Sequence, residues 1–462
     1  MDMRWLAVAP VSLALGWGGC EWYAGHRVMA SWQQQQAFFT ENFPRITVSE
    51  QHVRPGLAGH TVETTFDLVS DPCKQKTIRV MLREKITPTL LFSAGTVRST
   101  IDVVFPGTDD PEMEKLFHGR KPLVITGEYQ PKERTLYHLS SPAMQGNPEA
   151  GWTVSWRGLD ADVTLEPALS EMKLASRGVD IAKDNGGSFS LDDLTLTTRS
   201  RQGEGGLTLG EHEARIGEVG FSLDGSKHLT LSDATFRSKM DVKGGLVGWN
   251  LAYNIGDIRM GELFSANGEA DISLNHLQAA SLRKVLDAIR KENSACKPDP
   301  RPAMNAMKEL LAGNAELLVN KLDVNWGENT LHLDGHIKGL TAAVKADKDT
   351  SAMAEAAKQL DAQLTLSANE SFLNRFSHLP AASLVGGGAM AQVQTLPYQE
   401  FMTRQGENYT LVLALKDGEL TLNGQPWNEV VSNYRLSHPQ TDSMPAVTDA
   451  PAGLRPASPY GY

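Results

Sequence analysis

Three cysteines in 462 residues are too few for a disulfide-dense scaffold. Basic residues are short as well: 44 Lys and Arg face 55 Asp and Glu, a formal charge of −11. A groove that tracks nucleic acid needs a basic surface, so this balance argues against such a partner. Uncharged runs are scarce beyond the N-terminus, where no window approaches the roughly 18 apolar positions of a membrane span. Signatures of catalysis are missing too. There is no His-Glu-x-x-His, no Cys-x-x-Cys and no Gly-x-Ser-x-Gly. The nearest approach to a phosphate loop is Gly220 to Gly225 followed by Ser226-Lys227, where order and context fit a hairpin turn instead. The sequence predicts a non-enzyme, with no catalytic residue, no metal ligand set and no cofactor.

What is present begins at the N-terminus. From Trp5 to Cys20 there is no charge, and from Trp5 to Gly25 only Glu21. Trp17, Trp22 and Tyr23 stand near the far end, where aromatic rings sit at headgroup level, and His26-Arg27 closes the run. The expectation is a signal-anchor over residues 1–27, crossing the inner membrane through residues 5–25. A cleaved signal peptide and a lipoprotein acylated at Cys20 after Gly18-Gly19 remain alternatives. Either way the bulk of the chain is expected in the periplasm, where Cys73 and Cys296 have the chance to pair.

Beyond a short helical stretch, Val28 to Thr40, the apolar period changes to two. The fold class expected is mainly β with α insertions (α+β), an elongated antiparallel β-meander body behind the N-terminal transmembrane helix. The meander region spans 28–275 and is clearest from Gly186 to Leu274. There apolar pairs alternate with turn signals such as Asp192-Asp193, Asp224-Gly225-Ser226 and Gly244-Gly245. A mixed helix and strand region follows over 276–437, with helices from His276 and from Ala303. Two strands there meet at Gly327-Glu328-Asn329. Residues 438–462, rich in Pro, Ser and Ala, read as a disordered tail.

Polar constellations are weak. His332 and His336 flank Asp334, but strand alternation reads His332 as a solvated side chain. Asp109-Asp110 and Asp192-Asp193 read as turn aspartates that bond nearby backbone. The apolar alternation of the meander carries more. Val247, Trp249, Leu251, Tyr253 and Ile255 share one face of a strand. That face is either an ordinary sandwich core or an open lining for a hydrophobic guest, and periodicity alone leaves both open.

The segment Gly18-Gly19-Cys20-Glu21-Trp22-Tyr23-Ala24-Gly25 resembles the anchor end of YdgA/YihF-type bacterial envelope proteins, a family classed as a domain of unknown function. Leu360-Asp361-Ala362-Gln363-Leu364-Thr365 and Asp417-Gly418-Glu419-Leu420-Thr421-Leu422-Asn423-Gly424 resemble its C-terminal strands. The resemblance implies an inner-membrane anchor and a large periplasmic β-rich body, and brings no catalytic residues. Three functions follow as expectations. The first is a structural or interaction module that binds an envelope protein or self-associates through strand edges. The second is a protein that binds lipid or another hydrophobe on the meander face. The third is an enzyme assembled from distant residues.

Overall fold

A computed structural model of the chain describes residues 46–437 apart from 57–58, 72, 74–75, 89–96, 105–116, 131–132, 148–149, 185, 204–206, 224–226, 262–263, 298, 312–313, 340–357 and 379–400. The anchor segment with Cys20, the helical stretch after it, Asp109-Asp110 and the C-terminal tail therefore lie outside the described residues. So does most of the alanine-rich stretch at 351–360. Among the described residues no helix is long and apolar enough to cross a membrane.

The fold is mainly β: 22 strands, antiparallel wherever pairing is defined, and four helices among the described residues. The chain divides into two compact units. The first holds the described residues up to Asp271, with Gln278–Leu310 and Val324–Gly327; the second holds Ile272–Leu277, Leu311–Asp323 and the residues from Glu328. The helices α1 (Ala279–Ser294) and α2 (Arg301–Leu311) fall almost wholly with the first unit, not with the C-terminal region.

In the first unit the strands follow one another as a meander. β1 (Ile46–Gly56), β2 (Gly59–Asp71), β3 (Lys76–Pro88), β4 (Val97–Val104), β5 (Val124–Gln130) and β6 (Arg134–Ser141) pair in chain order. A short excursion, β7 (Met144–Gly146) and β8 (Trp152–Trp156), precedes β9 (Leu159–Leu165). Then come the long strands β10 (Leu169–Lys183), β11 (Ser188–Gln202), β12 (Thr208–Leu223), β13 (Lys227–Lys243) and β14 (Leu246–Met260). β9 pairs with the first half of β10 and β8 with the second, so the two lie end to end along it. Next in the chain come β15 (Phe264–Gln278) and then, past α1 and α2, β16 (Glu316–Trp326).

The long strands correct one expectation. Asp192-Asp193 does not reverse the chain; it lies inside β11, where Asp193 takes φ 48°. Asp233 does the same in β13 with φ 53°. Asp tolerates this left-handed conformation, and here the strand continues through it without a turn and without a shift of register. Opposite each stands a glycine: register passes from Asp192↔Glu218 to Leu194↔Ile216, and from Ser232↔Asp257 to Ala234↔Ile255. A Cβ on Gly256 would sit 2.8 Å from Asp233 Cβ, so only glycine clears it. The register is unbroken at both places, so one residue on each strand drops out of the pairing together, and the apolar step along a strand is three there and two elsewhere.

The line continues into β10 at Gly178, with φ 117°. A Cβ there would stand 1.9 Å from Leu191 O and 2.8 Å from Arg157 Nη2. Arg157 crosses that gap: Nη2 donates to Leu191 O at 3.0 Å and reaches Asp180 at 3.4 Å, and it pairs with Asp192. We expect Gly178→Ala to cost about 2–3 kcal/mol in chemical denaturation, since both backbone conformation and space oppose it. Gly244→Ala, also at positive φ but with nothing within 4 Å, should cost about 1 kcal/mol. Equal losses would show that the contact with Leu191 carries no weight.

A disulfide joins Cys73, in the β2–β3 turn, to Cys296, just past α1, with Cα atoms 4.4 Å apart. The start of α1 is tied to the β13–β14 turn, where Ala279 N–H donates to Gly245 O at 3.1 Å.

The second unit pairs β17 (Asn329–Lys338), β18 (Asp361–Asn369) and β20 (Asn408–Lys416) with the short strands β19 (Thr403–Gln405), β21 (Glu419–Leu422) and β22 (Gln425–Pro426). α3 (Glu370–His378) packs on it through Leu373 against Ala368 and Tyr409. Asn369 caps α3, its side-chain oxygen accepting Phe372 N–H at 2.9 Å. α4 (Trp427–Ser437) ends the described chain. Residues 403–405 form strand β19 because they pair with β20.

Candidate functional site

The register of β10 to β14 lines up side chains across five strands. One row is Ile181, Phe189, Phe221, Leu229 and Met260; the next is Val179, Leu191, Val219, Leu231 and Ile258. Beyond the line of left-handed residues the row Leu174, Leu196, Ala214, Phe236 and Tyr253 continues the apolar pattern. Directly opposed aromatics touch: Phe189 and Phe221 have centroids 5.1 Å apart, and Phe236 and Tyr253 5.0 Å.

The other face is charged. Arg199 pairs with Glu171 at 3.0 Å, Lys239 with Glu211 at 2.7 Å and Arg237 with Glu213 at 3.2 Å. These pairs are largely solvated and each contributes little to stability. Their role is to mark this face as the one wetted by design of the sequence.

The apolar face is not sealed. Phe221 is 47% exposed, Leu229 40%, Met260 55% and Tyr253 42%. A cavity of about 640 Å³ lies at the first row, lined by Trp152, Ile181, Phe189, Phe221, Leu229 and Met260, with Lys183, Ser188 and Ser222 also on its wall. That volume lies within the range of small-ligand sites, roughly 300–1,000 Å³. Four inter-strand steps of about 4.8 Å make the row roughly 19 Å long from β10 to β14.

The five residues that the sequence singles out on β14 lie off this cavity. Val247 is fully buried at 0% exposure. Trp249, Leu251 and Ile255 are half-buried, and Trp249 Nε1 donates to Ser238 Oγ at 2.9 Å. Tyr253 is the exposed member, stacked on Phe236. The residues that do line the cavity come from β8 and β10 to β13, with only Met260 from β14. The signal for them was in the strand pattern, but their convergence needs the register.

A polar cluster offers a second candidate. Glu84 on β3 is buried, and Tyr129 Oη on β5 donates to its Oε1 at 2.6 Å. Tyr137 Oη lies 3.2 Å from Tyr129 Oη. Burial pushes the Glu84 carboxyl above its ordinary value of 4.5, with the bond from Tyr129 pulling the other way, and pushes the Tyr129 phenol well above 10.0. The cluster holds one carboxyl, not a pair, and its hydrogen bonds close within it. A raised folded value stabilises the native state below about 4.5, and that contribution is lost as pH rises through the folded value. We therefore expect Glu84→Gln to match wild type in acid and to gain stability relative to it towards neutral pH. Urea midpoints from about pH 4 to about pH 8 check this; a constant offset would deny it.

His332 sits between Asp323 and Asp334, with Nε2 3.2 Å from Asp334, while His336 faces Asp361 at 3.4 Å. The two histidines have separate carboxylate partners. Among the described residues no group of three or more His, Cys, Asp or Glu side chains is placed to hold a metal ion.

The sequence profile of a family described as bacterial protein of unknown function, DUF945, matches residues 5–429. The chain belongs to that family. The match runs through both units, so the meander and the C-terminal strands are parts of one family architecture. No curated protein matches the sequence.

Proposed function

We propose that this member of the family is a hydrophobe-binding envelope protein whose meander face holds an acyl chain. The observation that carries the reading is the cavity of about 640 Å³ on an apolar row left open to solvent. Soluble chains seldom leave contiguous apolar surface of this kind uncovered without a guest. The row is about as long as a fatty-acyl chain, and each methylene buried on it contributes about 0.8 kcal/mol. The reading is non-enzymatic: binding needs no group that the sequence lacks.

The location belongs to the same proposal. An uncharged run from Trp5 to Cys20, the likeness to YdgA/YihF-type proteins and a disulfide all favour an inner-membrane anchor with a periplasmic body. Disulfides persist in that compartment and are rare in the cytosol.

Native mass spectrometry of the full-length chain, purified from its envelope without added lipid, tests the reading. Acyl-bearing mass retained at about one molecule per chain is the expected result. A clean apo mass that also takes up no added polyene fatty acid would overturn it and favour an interaction module.

A further inference from the structure

Resting on that reading, we propose that the guest is an anionic amphiphile, its headgroup held at Lys183 and its tail running along the row to Met260. Lys183 ends β10 two residues beyond Ile181, on the same face, and lies on the cavity wall. Its register partner is Trp152 on β8, and its ammonium stands 5.5 Å from the centre of the Trp152 ring.

The two ends of the row differ. At the β14 end Met260 is thioether and methyl, and the neighbouring cation, Arg259, is held by Asp257. At the β8 and β10 end the cation is uncompensated: among the described residues no carboxylate lies within 4 Å of the Lys183 ammonium. On the opposite face Arg199, Arg201, Arg237 and Lys239 have such partners. Lys183 is thus an exposed cation at the edge of apolar surface, open to an anionic group whose tail lies on the row. Trp152 holds the ammonium by cation–π attraction and leaves its hydrogens free to donate. A cation at one end and five apolar side chains in line behind it match a fatty carboxylate or a phosphate-headed single chain. The shared chemistry is one anionic group on one acyl tail.

The test uses the full-length chain held in amphipol, with a fluorescent polyene fatty acid and its methyl ester as probes. The acid should bind about tenfold more tightly than the ester, and Lys183→Met should bring the ratio of acid to ester affinity to about one. Lys183→Arg should restore most of the preference, which guards against a folding defect in the first variant. Displacement by oleate against lysophosphatidic acid then tells carboxylate from phosphate, and a choline-headed lysolipid should compete no better than the ester. Equal binding of acid and ester by wild type would overturn the proposal and leave hydrophobe binding standing. Binding of neither probe would remove both.

Discussion

Phe221→Asp abolishes acyl-chain binding, by about a hundredfold or more, and leaves the sheet folded. Phe221 stands in the middle of the five-strand row, paired with Phe189 on one side and Leu229 on the other. A carboxylate there must be desolvated by any tail laid across it, a penalty of at least about 3 kcal/mol, and a hundredfold in affinity corresponds to about 2.7 kcal/mol. The cost to folding is small because the side chain is already 47% exposed. Two controls sharpen the result. Phe221→Leu keeps an apolar side chain of similar reach and should lose only a few fold. Thr197→Asp, on the charged face opposite Glu213, should leave affinity unchanged. Titration of the polyene fatty acid reads all three, with circular dichroism confirming the sheet. Equal losses for Phe221→Asp and Thr197→Asp would mean that the guest does not lie on this row.

Reduction of Cys73–Cys296 is the second large effect expected. The bond closes a loop over a sequence separation of 223 residues. In the chain-entropy account a loop of that size lowers the entropy of the unfolded chain enough to stabilise the native state by about 5 kcal/mol. Both cysteines belong to the first unit, so the denaturation of that unit should shift while the second unit keeps its own transition. The variant Cys73→Ser with Cys296→Ser should behave as reduced wild type does, with or without dithiothreitol. A change under about 1 kcal/mol would show that the β2–β3 turn and the end of α1 are held together without the bond.

Much of the β architecture was legible in the sequence because strand periodicity is local. Alternation at i and i+2 is a property of consecutive residues, and it located β11 to β14 and their apolar face. The same locality explains the misreadings. Asp192-Asp193 looks like a turn because Asp is a turn residue, yet whether the chain reverses there depends on Gly217 across the ladder, which leaves Asp193 room for its left-handed conformation inside the strand. The last helix, Trp427–Ser437, follows β22 over residues with no strong helical stripe, so its contacts with β21 and β22 hold it more than its own pattern does. Glu84 and Tyr129 are 45 positions apart, and nothing near either one announces a buried bond.

By itself the sequence determined the class of the fold, the one-sided apolar pattern of the long strands and the lack of known catalytic motifs, since each depends only on neighbouring residues. The tertiary structure decided which apolar residues stay open. Val247 and Phe221 obey the same alternation, but one is sealed at 0% exposure and the other stands at 47%. It also decided that Cys73 meets Cys296, and that Lys183 comes to the end of a row built from five strands. Register and long-range closure are set by the pairing of distant segments, and a side chain's period carries no record of what lies across from it.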